Sequence, residues 1–346
     1  MLQAKKNIQK FHSAQKQAVV RVETTPGIQC WRESRAIEKV GLYIPGGSAP
    51  LFSTVLMLGV PAMIAGCKEI VLCTPCDKSG KVNDAILFAA SLCGITKIFK
   101  VGGAQAIAAM AYGTKTIPAV YKIFGPGNQY VTAAKQILQT KVAIDMPAGP
   151  SEVLVIADST SVADYVAADL LAQAEHGPDS QVILVCTNID IAKKVEKAVA
   201  EQLSQLPRKD IATKALKHAR LIVLKNLGEA VAFSNLYAPE HLILACKTTS
   251  RLLKQITTAG SVFIGNYSPE SVGDYASGTN HTLPTNGYAT AYSGVSLDSF
   301  YKKITFQQLT KDGLHNIAKT VTTMAEAEGL QAHSNAVKIR ILSNDK

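Results

Sequence analysis

At 346 residues the sequence exceeds the size at which one hydrophobic core keeps growing, so two domains or one large α/β unit are expected. Hydrophobic residues make up 47% and charged residues 18%, which excludes a disordered or collagen-like chain. The net charge of +10 is scattered apart from doublets such as Lys5-Lys6, and aromatics are only 6%, so no nucleic-acid partner is expected; such a surface favours anionic ligands such as a dinucleotide.

Met1-Leu2-Gln3-Ala4-Lys5-Lys6 and its polar continuation lack the apolar core of a signal peptide. The longest apolar stretch, Val55 to Ala65, contains Gly59 and Pro61 and is shorter than the ~20 residues that cross a bilayer, so no membrane partner is expected. Seven scattered cysteines read as reduced thiols in the cytoplasm. Cys73 and Cys76 form a CxxC without a second pair or a suitably spaced histidine, which reads as coincidence at a strand end.

From Val40, β-prone runs at Gly41 to Ile44, Glu69 to Cys73, Ile98 to Val101 and Lys122 to Phe124 alternate with helical windows. Gly or Pro at the strand exits completes the pattern of βαβ units in a parallel sheet covered on both faces. A second, similar series has strands at Val153 to Ile156, Val182 to Val185 and Leu221 to Leu224, with helices near 162 to 176 and 188 to 204. Met146 to Pro150 joins the two series as a connection or a functional loop. From Gly265 to Gly294 the composition shifts to Gly, Ser, Thr, Asn and Tyr, which predicts a binding loop. The tail reads as a helix from Phe306 to Glu328, then an apolar strand near Val337 to Leu342.

Three strand exits are glycine-rich: Pro45-Gly46-Gly47-Ser48, Gly102-Gly103-Ala104-Gln105 and Gly125-Pro126-Gly127-Asn128. None is a full GxGxxG fingerprint, and singly each reads as an ordinary turn. Several at one edge of a sheet point to phosphate binding by backbone amides. Metal candidates are Gln173 and His176, spaced i, i+3 on one helical face, with Asp274 and His333. Taken alone, such a histidine is usually structural, and Asp274 in Gly273 to Gly278 reads as an Asx-type turn. Pro239-Glu240-His241 places a carboxylate beside an imidazole; the pair is either two bases titrating in different ranges or a surface Glu and a half-buried His. His218, His12 and His315 lie in polar surroundings, while His281 shares the long loop with Asp274.

Long segments carry a more specific signal: GLYIPGGSAPLFSTVLMLG from Gly41, VGGAQAIAA from Val101, KIFGPGN from Lys122 and IDMPAGPSEVLVIAD from Ile144. LAQAEHGPDSQVIL from Leu171, APEHLI from Ala238, AGSVFIGNYSPESVGDYASGTNHTLPT from Ala259 and EGLQAHSNAV from Glu328 continue it. Together they resemble the histidinol dehydrogenase family over essentially the whole chain. The resemblance implies two Rossmann-like parallel-sheet domains with a small C-terminal tail domain, assembled as an intertwined homodimer. It implies one Zn2+ per subunit held by Gln173, His176, Asp274 and His333, and NAD+ contacted by Tyr43, Gln105 and Asn128. Glu240 and His241 match the catalytic bases. Ser151, Gln173, His176, His241, Asp274, Glu328 and His333 match the substrate site, with His333 and Glu328 donated across the dimer interface.

On this reading the chain divides into an N-terminal helical remnant (1–38), a first Rossmann-like domain (39–148), a second with the metal and substrate loop (149–295), and a dimerisation tail (296–346), with interleaving of the two α/β domains left open. Family members carry a further helical segment before the position of Met1. The implied reaction is two-step, NAD-dependent oxidation of L-histidinol through L-histidinaldehyde to L-histidine. Alternatives are a related zinc alcohol dehydrogenase acting on another polar alcohol, such as a sulfonated diol, or a shortened homologue without activity; Glu328 and the TNHTLP loop favour histidinol.

Overall fold

A computed structural model describes residues 1–46, 50–247 and 250–342, so Gly47 and Ser48 of the first glycine-rich exit lie outside the described residues. The chain divides into two compact units: Met1–Gln15 with Ile37–Phe300, and Lys16–Ala36 with Tyr301–Lys346.

Helix α1 (Leu2–Ser13) precedes strands β1 (Arg21–Thr25) and β2 (Ile28–Ala36). Then come β3 (Lys39–Tyr43), α2 (Phe52–Ala65), β4 (Glu69–Thr74), α3 (Asp84–Leu92), β5 (Lys97–Lys100), α4 (Gly103–Tyr112), β6 (Lys122–Phe124), α5 (Gln129–Ile137) and β7 (Ala143–Ile144). The second series is β8 (Glu152–Ala157), α6 (Ala163–Ala174), β9 (Gln181–Cys186), α7 (Ile189–Leu203), α8 (Lys209–Leu216), β10 (Arg220–Val223), α9 (Leu227–Tyr237), β11 (His241–Ala245), α10 (Ser250–Leu253), β12 (Ser261–Ile264) and α11 (Glu270–Tyr275). Strand β13 (Tyr301–Leu309) and helices α12 (Lys311–Ala327) and α13 (Gln331–Leu342) follow.

The larger unit holds two five-stranded sheets, ordered β5-β4-β3-β6-β7 and β10-β9-β8-β11-β12, and every pairing in both is parallel. Each runs third, second, first, fourth, fifth in chain order, the Rossmann-like arrangement whose direction switches between its first and fourth strands. Alternate residues of each central strand enter opposite cores. Val153 and Val155 face a cluster with Val166, Leu170 and Val195, whereas Leu154 and Ile156 face one with Val231 and Leu252. Burial on both faces is why these strands read as continuous apolar runs. The apolar stretch 55–65 is the body of α2, buried through most of its length. Among the described residues no helix is long and apolar enough to cross a membrane.

The smaller unit is an antiparallel sheet, β1-β2-β13, with a helical hairpin of α12 and α13. Three expectations are corrected here. Segment 1–38 is helical only over α1; Gly27 adopts φ +83° in the turn after Thr25, and β-prone residues on either side pair as a hairpin. Residues 306–309 are strand, because β13 pairs with β2 over nine residues from Tyr301↔Ala36 to Leu309↔Ile28. Helix α12 starts later, where the Thr310 side chain accepts from the Gly313 amide. Residues 337–342 are helix, not strand: Ser334, Val337 and Ile341 turn inward at helical spacing while their neighbours are exposed.

Candidate active site

Glu240 and His241 stand at the entrance of β11, the fourth strand of the second sheet. Ala238, in the left-handed conformation at φ 55°, ends α9 and turns the chain through Pro239. Glu240 therefore precedes the pleat, and both side chains point inward, with His241 Nδ1 3.6 Å from Glu240 Oε2. The neighbouring strand fastens both. The Glu152 amide donates to Glu240 Oε2 at 2.9 Å, and the Glu152 carbonyl lies 3.1 Å from His241 Nδ1. With Nδ1–H donated to that carbonyl, Nε2 is the nitrogen left to accept a proton.

Helix α11 supplies two acids one turn apart. Glu270 Oε1 lies 3.9 Å from His241 Nδ1, and Asp274 Oδ1 lies 3.7 Å from Nε2, beyond hydrogen-bond distance. Burial pushes the Glu240 carboxyl up to about 7 and that of Glu270 up to about 8, against the pull of His241. Burial acts to lower the His241 imidazole, but Glu270, Glu240 and Asp274 outweigh it and hold it at about 10. Asp274 stays below its ordinary value because the charge of His241 overcomes burial.

Ligand atoms of His176, Glu270 and Asp274 lie within 4.8 Å of one another. Buried beside them without hydrogen-bond partners are Gln173 Oε1 and Nε2, Asp274 Oδ1 and Glu270 Oε2. The unpaired amide and carboxylate donors are buried, while the His176 imidazole is exposed at the edge of the group, and together these donor types suit a borderline cation such as zinc. His281 braces the set, with Nδ1 2.9 Å from the Asp274 carbonyl and Nε2 3.0 Å from Thr54 Oγ1 on α2.

A cleft of about 890 Å³ adjoins the cluster, lined by Asn128, Gly127, Ser151 and His176 among others. It joins the carboxyl edge of the first sheet, at the switch point between β3 and β6, to the amino edge of the second. The connection 146–150 explains this: it leads from β7 directly into β8, so that the start of β8 is delivered to the cleft. Tyr43 is buried, and its hydroxyl accepts from the Gly103 amide at 2.9 Å. Asn128 Oδ1 caps α5 through the Tyr130 and Val131 amides at 3.1 Å, which leaves its NH2 group for a ligand. Gln105 is exposed at the start of α4.

The larger unit thus brings Glu240, His241, Gln173, His176 and Asp274 to one cluster, with Ser151 and Asn128 on the adjoining cleft. Glu328 and His333 belong to the smaller unit, exposed at the end of α12 and on the first turn of α13. Asp274 is not in an Asx-type turn: it lies on α11, a helix inside the segment expected to be loop. Glu270 escaped sequence reasoning for the same cause. Its signal is the i, i+4 spacing to Asp274, which has meaning only on a helix. Glu152, whose peptide groups hold the pair, carries no motif that marks it.

The histidinol dehydrogenase family model matches residues 1–341. The chain is 62% identical over 339 residues to a histidinol dehydrogenase of Bacteroides fragilis, covering 98% of this chain and 79% of that protein. It is 57% identical over 344 residues to one of Salmonella typhimurium, with 99% and 78% covered. The crystal structure of histidinol dehydrogenase from Elizabethkingia anophelis superposes with a TM-score of 0.97 at 64% identity, covering 98% of this chain and 79% of that one.

The clustered charges set a pH signature for metal-free protein. Glu240, Glu270 and His241 each bind their proton more tightly folded than unfolded, where the ordinary values are 4.5, 4.5 and 6.5. Their contribution to stability is therefore full at low pH and is lost as pH rises through about 7, 8 and 10. After EDTA treatment, the urea midpoint should fall from about pH 5 to about pH 10, most steeply near pH 7 where all three groups overlap, and Glu270→Gln should flatten the decline. A parental midpoint that does not move across this range would contradict the electrostatics described.

Proposed function

The chain belongs to the histidinol dehydrogenase family, and from that premise we propose that it oxidises L-histidinol through L-histidinaldehyde to L-histidine, with NAD as acceptor. The observation that carries the reading is the buried imidazole of His241, fixed by Glu152 and facing unpaired metal-type donors beside the cleft.

The donors fit zinc: Gln173, His176 and Asp274 would hold it, with His333 of a second copy completing a set of borderline ligands. When bound, zinc supplies a Lewis acid that gathers the substrate and offsets the carboxylate charge around His241. NAD is the hydride acceptor in each oxidation, and Tyr43, Gln105 and Asn128 are assigned to it by position at the three strand exits.

Oxidising the alcohol to the aldehyde removes a hydride and one proton; oxidising the aldehyde to the acid consumes a water and releases two more. With a bound cation offsetting the three carboxylates that otherwise keep His241 protonated, its Nε2 would be free to accept the hydroxyl proton, since Nδ1 is occupied by the Glu152 carbonyl. Glu240, raised towards neutrality by burial, is poised to take a proton from the water that attacks the aldehyde. Burial of both bases keeps bulk water from the aldehyde between steps. Ser151 on the cleft and Glu328 are assigned to the substrate. The protein acts as a homodimer to which each subunit contributes Glu328 and His333 of its partner's site. Seven free cysteines support a cytoplasmic location.

Protein supplied with NAD, zinc and L-histidinol should form NADH and histidine at two to one, and chelation or His176→Ala should abolish turnover. Full activity in a demonstrably metal-free sample would remove zinc from the account.

Glu240→Gln should slow aldehyde oxidation by about 10²-fold or more while affecting alcohol oxidation less. Because the Glu240 carboxyl stands at about 7, the parental aldehyde step should also lose rate as pH falls below that value. If supplied histidinaldehyde is oxidised by the variant at the parental rate, Glu240 has another task.

Donation of His333 across the interface is tested by mixing inactive His333→Ala and His241→Ala chains under subunit exchange. Half the dimers are mixed and one site in each carries no lesion, so activity should recover to roughly one quarter of the parental level. Mixed dimers with no recovered turnover would place His333 in the site of its own chain.

A further inference from the structure

Strand β6 ends at Phe124, and on the side of β7 the Ile123 carbonyl accepts from the Asp145 amide at 3.1 Å. Gly125 follows with φ +125°, and a Cβ there would collide with the Tyr43 carbonyl oxygen. Its two polar groups are bonded by side chains. Asp145 Oδ2 accepts from the Gly125 amide at 2.8 Å, and Lys135 Nζ donates to the Gly125 carbonyl at 3.0 Å. The two side chains also pair with each other, and Asp145 Oδ1 accepts from the Met146 amide at 2.8 Å.

Both charges are withdrawn from water, the Lys135 side chain 5% exposed and that of Asp145 1%. A buried ion pair is costly to desolvate, and an apolar pair of the same volume commonly stabilises as well. What an apolar pair cannot do is bond both ends of one residue and so fix where it sits. Lys135 lies on α5 three residues beyond Thr132, whose hydroxyl donates to the Ala148 carbonyl at 2.8 Å. One face of α5 therefore grips Gly125 on one side and the 146–150 connection on the other. Gly127, Asn128, Ala148 and Gly149 all line the cleft.

We propose that the buried Lys135–Asp145 pair is a positioning device for the dinucleotide: it sets the Gly125–Asn128 turn, and through it the grip on NAD, without taking part in the chemistry. This rests on the assignment of NAD to the cleft at the first sheet's carboxyl edge. Neither residue touches a reacting group, so the effect belongs in affinity for the cofactor rather than in turnover.

The test uses the full-length, zinc-loaded enzyme carrying Lys135→Met with Asp145→Asn, which removes both charges together. NADH binding followed by fluorescence and KM for NAD should each weaken by roughly tenfold or more, with kcat and KM for L-histidinol within about twofold of the parent. A variant that is less stable but binds NADH as the parent does would overturn the proposal, because a merely structural pair alters Tm and active fraction only. Hydrogen exchange on the parent gives a second measurement that does not depend on the variant folding. The Gly125 amide, outside any strand ladder, should be as protected as those of β6, and rapid exchange there would equally overturn it. Should the parent bind no NADH at all while binding zinc, the cofactor assignment fails and the inference falls with it.

Discussion

One imidazole must answer for more negative charge than it carries. His241 faces Glu240, Glu270 and Asp274 inside the protein, where an unpaired carboxylate is expensive to keep. The molecule meets this by holding protons: two of the three carboxyls are displaced to near or above neutrality, and the imidazole is held protonated far above its usual range. Such a cluster accepts a divalent cation readily, since the cation replaces protons that the site already has to recruit. Oxygens of Gln173, Glu270 and Asp274 stand buried without hydrogen-bond partners in the same region.

Topology makes this cluster possible. Two sheets of identical strand order would ordinarily each offer a ligand site at the carboxyl ends of their strands. Here the cleft opens at the carboxyl edge of the first sheet, and the second sheet turns its opposite edge to it, where Glu152 and His241 begin β8 and β11. A loop-rich carboxyl edge suits a cofactor that needs backbone amides, whereas strand entrances hold side chains by ladder hydrogen bonds on both flanks. His241 is aligned with Val153 on one side and Ser261 on the other, so the imidazole sits on a scaffold that leaves it little freedom.

The parallel sheets were legible because burial on both faces leaves continuous apolar runs with glycine at the exits, and the strands read from those runs fall within a residue or two of their expected places, whereas the short edge strands β7 and β12 were not read. The Glu240–His241 juxtaposition was legible from Pro239. What stayed hidden depends on partners distant in sequence. Strand β13 carries Lys302, Lys303, Gln307 and Gln308 on an exposed ribbon, and its pairing with β2 decides its state more than its composition does. Helix α11 is six residues within a Gly- and Ser-rich stretch, too short to show a period, so Glu270 and Asp274 gave no sign of sharing a face. Tyr43 shows a different limit: a resemblance can mark a position, but only the fold reveals that its hydroxyl is engaged by the Gly103 amide.

The three-stranded sheet has a consequence for how the chain acquires its structure. Its hairpin, β1 with β2, is local and closes early, but its third strand comes after the whole of both parallel sheets. Closing that ladder joins the most distant paired strands of the chain, and the entropy of so long a loop is met only once the intervening sheets have compacted and shortened the effective distance. During synthesis on the ribosome, β2 therefore waits with an open edge, an arrangement prone to pairing with another chain. Glu33, Arg32 and Arg35 along that edge put charge where a neighbouring strand would otherwise settle. The strand that emerges after both parallel sheets is thus the one that seals the sheet begun before them.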